Sequence, residues 1–493
     1  MKKLIAYCLL IIILASGGAV FRSSSAISAE AETASEYDLE KIIDELIEWK
    51  KSDVGSENGS LFTASFLEQA GTTPGDWYPI GMGRYGYEDN YTAYLAVIEE
   101  NITERYAEKN KLSAAKATEW HRIALAVTAA GGNPLSIGSF NGEPVNLIAD
   151  GTYNRGLTAS PGKQGINGWI WGLIALDSKR YEVPEDAYHT RQDFIKEILR
   201  AQLADGGFAL SGNNSDPDIT GMAVQALAPY YNSETVYEYT SAKIKDGEGN
   251  YIKVRKSVRT AVDECIGVLS SLQCGDGDFA SWGTVNAEST CQVLAALNSL
   301  GIDALNDPRF IKNGNNLLDG IMKYRLVNGG FLHSFQFDPD NPSSKPDQAN
   351  TMAGEQVLYT LVSLYRYRNG MRSLYDMRTE FTYDERKTID DCIAAIEKLS
   401  ENSSPENAEN ALSLYYKIDP LDRCYVSNYG VLSESALTYG LKLPSEEINF
   451  SGNSGSSDEP ILYFSNSDRE KADSLPSAEL LTTEYFTEVV NLK

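Results

Sequence analysis

The sequence predicts an all-α protein in which paired helices stack side by side and close into a ring. Three observations lead to this prediction. Apolar residues recur at helical spacing in many segments, no region alternates polar and apolar residues as a sizeable sheet would, and one loop-then-helix unit occurs three times. Because a single helix pair cannot bury its apolar face alone, repeated pairs must pack against their neighbours.

The first segment has the pattern of a secretory signal peptide. Lys2 and Lys3 precede an apolar run from Leu4 to Ala15, and small residues follow up to Ala29. The apolar run is shorter than the roughly 20 residues that a membrane-spanning helix needs. We therefore predict a signal peptide over residues 1–29 and a protein that is secreted or extracellular, with cell-wall association left open.

The charge of the chain excludes several classes of partner. The formal net charge is −26, and removal of residues 1–29 takes it to −29 because that segment holds three basic residues and no acidic one. So acidic a protein repels nucleic acid and anionic membranes. We predict a soluble monomer, not inserted in a membrane, whose partner is a small molecule or a cell-surface protein.

Helical periodicity continues through most of the remaining chain. A polar stretch around Asp246, "IKDGEGNYIKV", predicts a short hairpin between two of the helices. The predicted helices cover residues 38–51, 60–70, 76–84, 90–109, 113–130, 165–178, 188–203, 218–231, 255–273, 286–300, 308–325, 347–369 and 385–400.

The repeat consists of a glycine-bearing loop that ends in phenylalanine and leads into a helix. The loops "DGGF", "DGDF" and "NGGF" end at Phe208, Phe279 and Phe331. Each is followed by a helix that opens near a threonine, with a leucine seven residues further on. The threonine–leucine pairs are Thr220 and Leu227, Thr290 and Leu297, and Thr351 and Leu358.

The units "DGGFALSGNNSDPDITGMAVQALA" and "DGDFASWGTVNAESTCQVLAAL" resemble the repeats of the α/α-toroid superfamily. That superfamily includes terpenoid cyclases, protein prenyltransferase β subunits, complement thioester domains and cobalamin carriers. The wording "GINGWIWGLIALDS" is also similar to exported toroid proteins of Gram-positive gut bacteria. The resemblance implies an α/α toroid of about six helical hairpins over residues 36–383.

The composition and pattern of the sequence change after the predicted toroid. Residues 384–441 resemble a small three-helix module of bacterial surface proteins, with "VSNYGVL" in its helix–loop–helix. Residues 442–493 are polar and acidic, which predicts a disordered tail.

Asp216 and Asp218 in "DPDIT" are the candidate catalytic residues. They overlay the Asp-x-Asp-Asp acid of class II terpenoid cyclases, but Ile219 stands where the last acid would be. A second interpretation is structural, with Asp216 as a helix N-cap, Pro217 in the first turn and Asp218 favoured by the helix dipole. A third is contact with a ligand at the rim of a pocket.

The sequence lacks the residues that two other members of the superfamily need for their chemistry. The zinc site of prenyltransferases needs an Asp-x-Cys that does not match here, and the three histidines show no zinc-ligand spacing. The thioester motif has Ala353 in place of its cysteine. Five cysteines remain after residue 29, a sparse and odd set that does not predict a disulfide framework.

We therefore predict a ligand-binding protein that is non-catalytic and requires no cofactor, with a mouth formed by the Gly-Phe loops. The ligand is a medium-sized organic molecule, corrinoid-like or isoprenoid, or else a protein; a corrinoid is suggested by the resemblance to cobalamin carriers. The alternative is an enzyme acting on an isoprenoid or carbohydrate, with Asp218 as general acid. The predicted ligand contacts are Asp216, Asp218, Thr220, Gln225, Glu288, Thr290, Trp169, Trp171, Trp282 and Gln356.

Overall fold

The computed structural model of the protein describes residues 37–56, 59–154, 160–337 and 344–444. The predicted signal peptide (1–29) and nearly all of the predicted tail (442–493) lie outside these residues. Within them the protein is mostly helical, which confirms the predicted all-α class. The helices are α1 (Leu39–Asp53), α2 (Ala64–Leu67), α3 (Thr73–Tyr85), α4 (Tyr91–Lys109), α5 (Thr118–Ala129), α6 (Leu147–Gly151), α7 (Ile166–Asp177), α8 (Arg191–Arg200), α9 (Pro217–Leu227), α10 (Val258–Leu272), α11 (Ala287–Ser299), α12 (Leu317–Met322), α13 (Thr351–Arg368), α14 (Tyr383–Glu401), α15 (Pro405–Tyr415) and α16 (Tyr429–Tyr439).

The strands of the described residues form three antiparallel hairpins. They are β1 (Ser139–Phe140) with β2 (Glu143–Pro144), β3 (Val236–Lys245) with β4 (Tyr251–Ser257), and β5 (Phe279–Ser281) with β6 (Thr284–Asn286). The β3–β4 hairpin was predicted around Asp246, but it is longer than expected. Its first strand, "VYEYTSAKIK", is rich in aromatic and β-branched residues, which favour extended backbone.

Six helices pack against one another in a closed cycle. Each of α3, α5, α7, α9, α11 and α13 contacts the next, and α13 contacts α3 again. We call these six the ring helices. Small residues permit the close approach: a Cβ on Gly83 would lie 2.2 Å from the Ala129 carbonyl oxygen, and one on Gly221 would lie 2.8 Å from that of Gln292.

A second set of helices packs on the ring helices. Helix α1 contacts α13, α6 contacts α5, α8 contacts α7, α10 contacts α9, and α12 contacts α11. The chain therefore returns on itself, because α1, the first helix after residue 38, lies on the last of the ring helices. None of the helices in the described ranges combines the length and apolar character that crossing a membrane would require.

The three Gly-Phe loops have the same backbone conformation. In each loop, the carbonyl oxygen of the residue that precedes the phenylalanine accepts a hydrogen bond from the backbone amide four residues earlier in the chain. In the first loop, the Leu203 amide donates to the Gly207 carbonyl at 2.9 Å. The middle glycine has a φ between 88° and 98°, a left-handed conformation that glycine adopts without strain. The phenylalanines themselves, Phe208, Phe279 and Phe331, are fully buried.

The loops lead into α9, α11 and α13, whose N-caps are Asp216, Asn286 and Asn350. This shared cap corrects the repeat alignment made from sequence. Thr220 and Thr290 lie four residues past their caps, and the corresponding residue of α13 is Gly354 rather than Thr351. The alignment of the third repeat was wrong by three residues because the loop before α13 is longer than the other two. Three residues are about one helical turn, so the misaligned helix still shows the same spacing of apolar residues.

Hydrogen bonds between neighbouring ring helices join residues at similar distances from these caps. Gln225 donates to Gln292 at 3.1 Å, Gln292 donates to Gln356 at 3.0 Å, and Asn298 donates to Ser363. The three helices therefore run parallel. Their N-terminal ends, with the Gly-Phe loops, lie at one end of the ring helices and their C-terminal ends at the other.

The C-terminal helices α14, α15 and α16 pack against each other around their own apolar core. Buried polar contacts attach them to the preceding chain. The Asp422 carboxylate accepts hydrogen bonds from Arg372 at 2.6 Å and Arg378 at 2.7 Å, and Asn232 donates to the carbonyls of Arg423 and Val426.

Candidate functional site

A cavity of about 600 Å³ lies at the C-terminal ends of the ring helices. The last turns of α7, α9, α11 and α13 form its walls. The C-terminal helices close one side through residues of α14 and the segment 424–427. The polar residues of the lining include Asp177, Arg180, Gln225, Asn298, Ser363, Tyr375 and Asp376.

Three polar groups on this lining have no hydrogen-bond partner. They are the Arg180 Nε, the Asn298 Oδ1 and the Tyr375 hydroxyl. The Arg180 and Asn298 side chains are 3% and 6% exposed, so bulk water does not compensate them fully. Since buried polar groups are nearly always paired, three unsatisfied groups on residues that line one cavity make this cavity the candidate ligand site.

Fixed charges flank the unsatisfied groups. The Asp177 carboxylate accepts from Arg191 at 2.8 Å and from the Tyr230 hydroxyl at 2.7 Å. Burial alone would raise the pKa of Asp376, but Arg378 and further guanidinium groups outweigh it and hold that pKa below its usual range. Asp376 is therefore ionised, and its oxygens are engaged by Arg378 rather than left to solvent.

Of the ten ligand contacts predicted from sequence, Gln225 lines this cavity. Sequence reasoning missed Arg180, Asn298 and Tyr375. Glycine and aspartate mark the loops before the ring helices, whereas no comparable motif marks the helix C-termini. Arg180 also has a φ of 56°, a left-handed conformation that nothing in the surrounding residue types indicates.

The opposite end of the ring helices holds a group of carboxyl side chains. Asp216 caps α9 with Oδ1 and accepts from the Ser281 hydroxyl at 2.5 Å with Oδ2. Asp218 lies two residues further, and the Ser289 and Ser281 hydroxyls lie close enough to its carboxyl group to lower its pKa. Burial, then the charges of Asp216 and Glu288, raise the pKa of Asp218 to about 7.

Two more carboxyl groups face this end. Glu288 holds the same position on α11 as Asp218 on α9, and both its oxygens lie 2.9 Å from the His333 Nδ1. Glu355 on α13 is 2% exposed and its Oε2 has no partner. Burial is the largest cause that raises the pKa of Glu355 well above its usual value, and Asp76 and Glu288 add to it. Glu355 and His333 were not predicted as site residues.

The predicted contacts Thr220 and Thr290 are fully buried. Each hydroxyl accepts the amide of the loop phenylalanine, at 3.0 Å for Phe208 and 3.1 Å for Phe279. These threonines hold the Gly-Phe loops onto the ring helices.

A layer of amides and aromatic side chains separates the two ends. Gln225 and Gln356 both bond to Gln292, whose Nε2 also lies 2.5 Å from the Tyr359 hydroxyl. Trp171 packs edge-on against Trp77 from α3, with centroids 5.1 Å apart. The predicted residues Gln225, Gln356 and Trp171 thus share one layer.

The remaining two tryptophans lie elsewhere. Trp169 packs against His189 and Phe194 at 5.3 and 5.1 Å, between α7 and α8. Trp282 is 70% exposed at the tip of the β5–β6 hairpin, with a φ of 51°. The structure therefore does not bring these two side chains together with the other predicted contacts.

The described residues contain neither a metal-ligand group nor a disulfide. No group of three or more His, Cys, Asp or Glu side chains there is placed to hold a metal ion. Cys265, Cys274, Cys291, Cys392 and Cys424 are all free thiols. Neither a known family model nor a curated protein nor a solved structure matches the chain.

Proposed function

We propose that the protein is an exported ligand-binding protein built on an α/α toroid, and that the ligand occupies the cavity at the C-terminal ends of the ring helices. The closed cycle of contacts from α3 through α13 and back to α3 supports the toroid. The separate apolar core of α14–α16 supports a three-helix module that covers one side of the cavity. Export rests on the signal peptide pattern of residues 1–29.

The observation that carries this proposal is the convergence of unpaired polar groups on a cavity of ligand size. A volume of about 600 Å³ lies within the usual range of small-molecule pockets. Leaving a buried polar group unpaired costs about 1–3 kcal/mol, so a ligand that hydrogen-bonds to these groups would gain affinity from them.

The lining indicates the chemistry of the ligand. Its charged side chains are balanced, with three aspartates and three arginines, so no strong net charge selects an anion or a cation. Unpaired donors and an unpaired acceptor favour a polar, amide-bearing ligand, such as a corrinoid side chain, over a purely apolar isoprenoid. The charged lining residues are Asp177, Asp376, Asp390, Arg180, Arg368 and Arg386.

A ligand screen tests the proposal. The purified full-length chain is heated with corrinoids, glycans and polyisoprenoids, and a ligand present at about 100 times its Kd should stabilise it by roughly 2.7 kcal/mol. Asn298→Leu should reduce the response, because it removes an acceptor whose hydrogen bond to the ligand is worth about 0.5–1.5 kcal/mol. The matched control is Asn167→Leu, because Asn167 also has an unpaired Oδ1 but does not line the cavity. An undiminished response in Asn298→Leu would place the ligand elsewhere.

The environment of Asp218 favours a second candidate, an enzyme acting on an isoprenoid or carbohydrate. A carboxyl group whose pKa is raised to about 7 has the protonation behaviour of a general acid near neutral pH. Turnover of either substrate class by the full-length chain, lost in Asp218→Asn with the fold intact, would support it. Equal turnover in both proteins would exclude Asp218 as the acid.

A further inference from the structure

Arg180 is a buried arginine on the cavity lining whose guanidinium group makes no hydrogen bond to the described part of the chain. The residue follows α7 and is 3% exposed. The Asp177 Oδ2 lies 3.6 Å from the Arg180 Nη1, which is longer than a hydrogen bond. A guanidinium group has five N–H donors, and their burial is unfavourable unless they are paired. Because Arg180 lines the cavity, a molecule that occupies the cavity can supply the partners.

The carboxylates near Arg180 are engaged by other arginines. Asp177 accepts a hydrogen bond from Arg191 at 2.8 Å, and Asp376 accepts one from Arg378 at 2.6 Å. Neither Arg191 nor Arg378 lines the cavity. Each of the two aspartates is therefore neutralised from behind the lining, and Arg180 remains as a positive charge on it. The lining charges balance in number, but they are not equally available to a ligand.

Other ionisable groups of the lining do not supply a free anion beside Arg180. Asp390 accepts a hydrogen bond from Arg386 of the same helix at 3.0 Å. Burial is the largest cause that raises the pKa of the Cys424 thiol to about 11, and burial also raises the pKa of Tyr375 well above its usual value. The thiol and the phenol therefore stay neutral near pH 7.

The backbone holds Arg180 beside the segment that carries Tyr375. The Met377 amide donates to the Ser178 carbonyl at 2.6 Å, so the chain two residues before Arg180 lies against the chain two residues after Tyr375. Asn298 lines the same cavity from the end of α11. The φ of Arg180 is 56°, a conformation that is unfavourable for a residue other than glycine and that occurs preferentially at ligand sites.

We propose that the ligand of this cavity carries a carboxylate that binds the Arg180 guanidinium group. The proposal rests on the proposed function, because it concerns the same cavity. A carboxylate matches the planar donors of a guanidinium group and accepts two parallel hydrogen bonds from them. A phosphate carries about two negative charges, which one arginine beside two aspartates does not balance. The unpaired Asn298 Oδ1 accepts from an N–H elsewhere on the ligand, so the ligand class is a small organic acid that also bears an amide.

The test compares two probes that differ in one group. N-acetyl-L-phenylalanine carries the carboxylate, and N-acetyl-L-phenylalaninamide is its neutral control. Both are titrated by calorimetry into the full-length chain at pH 7. The acid should bind about tenfold more tightly or better, because hydrogen bonds between charged groups are stronger than neutral ones.

Two results would overturn the carboxylate assignment. Equal affinity for the acid and the amide would show that the cavity binds ligands without selecting a carboxylate, and the proposed function would stand. Absence of acid binding at millimolar concentration would also refute the assignment. The screen of corrinoids, glycans and polyisoprenoids, with its Asn298→Leu arm, then decides separately whether the cavity binds a ligand at all.

Variants of Arg180 localise the carboxylate. Arg180→Gln should remove the preference for the acid and change stability little, because no hydrogen bond within the protein is lost. Arg180→Lys keeps the charge without the planar donors and should retain part of the preference. The matched control is Arg255→Gln, which removes the same charge from a side chain that is 72% exposed and does not line the cavity.

The outcome for Arg180→Gln is decisive in either direction. If this variant kept the preference of the parent chain for the acid, the carboxylate would bind elsewhere and the assignment would be wrong. If the variant failed to fold, the guanidinium group would have partners within the protein, which contradicts a role in ligand binding.

Discussion

The Tyr375 hydroxyl allows the reasoning about the cavity to be tested through stability as well as binding. Tyr375 lines the cavity, its hydroxyl has no hydrogen-bond partner, and its aromatic side chain packs edge-on against Trp171 with centroids 5.6 Å apart. Burial raises the pKa of Tyr375 well above its usual value, so the hydroxyl stays neutral. Tyr375→Phe removes the oxygen and keeps the aromatic contact.

The expected magnitude follows from the cost of an unpaired hydroxyl. That cost is about 1–3 kcal/mol, and no hydrogen bond is lost in the substitution. Since Tyr375 is half-buried rather than fully enclosed, we expect the free energy of unfolding of the ligand-free protein to rise by about 1–2 kcal/mol. For a chain of this length, that is a rise in Tm of about 1–3 °C.

Denaturant unfolding with and without a cavity ligand measures both effects. Tyr375→Phe should be more stable when free and should gain less from the ligand, because one hydrogen bond worth about 0.5–1.5 kcal/mol is gone. Tyr181→Phe is the matched control, because Tyr181 is also a buried tyrosine but does not line the cavity. It should keep the full response to the ligand. If Tyr375→Phe destabilised the free protein by 1 kcal/mol or more, on the order of a lost hydrogen bond, the hydroxyl would have a partner and the reasoning would be refuted.

Three further predictions concern the carboxyl groups and the loops. Asp422→Ala leaves the Arg372 and Arg378 guanidinium groups without their carboxylate, so the free energy of unfolding should fall by about 3–5 kcal/mol. Limited proteolysis should then cut the C-terminal helices faster. Unchanged digestion would show that this contact does not attach them. Asp218 has a pKa raised to about 7, so the native chain binds its proton more tightly than the unfolded chain and stability should fall as the pH rises from about 4 to about 7. Asp218→Asn should reduce that decline in a urea series, and a parallel curve for parent and variant would contradict the raised pKa. Thr220→Val should cost about 1–3 kcal/mol, because the Phe208 amide loses its acceptor inside the protein; a cost below about 0.5 kcal/mol would mean that another group replaces the hydroxyl.

The carboxyl groups at the N-terminal ends of the ring helices show how much of this region could be predicted from the sequence. "DPDIT" drew attention to Asp216 and Asp218, and the helix-start interpretation of Asp216 is confirmed by its bonds to the amides of Asp218 and Ile219. Glu355 carried no such signal, since "MAGEQ" was considered only as a broken thioester motif. The pKa of Glu355 is raised by burial and then by the charges of Asp76 and Glu288, which lie far from it along the chain.

The cavity illustrates the opposite case. It is formed where α7, α9, α11 and α13 end and where a segment more than 40 residues after α13 returns to cover them. Residue types at helix ends do not specify which ends converge. A polar residue such as Asn298 is also ordinary in sequence, and it becomes notable because its amide bonds to Ser363 while its oxygen is left unpaired.

The sequence by itself determined the helical class, the position of most helices and the three Gly-Phe loops. These follow from apolar periodicity, capping residues and glycine conformation, which act over a few neighbouring residues. Tertiary structure alone decided that α13 packs on α3 and that a layer of amide and aromatic side chains separates the two ends of the ring helices. It also decided that residues with unpaired polar groups line a cavity at the C-terminal ends, where the sequence carries no motif. Those features depend on the packing of helices that are distant in the chain, and whether a polar side chain is paired is settled only when its neighbours are in place.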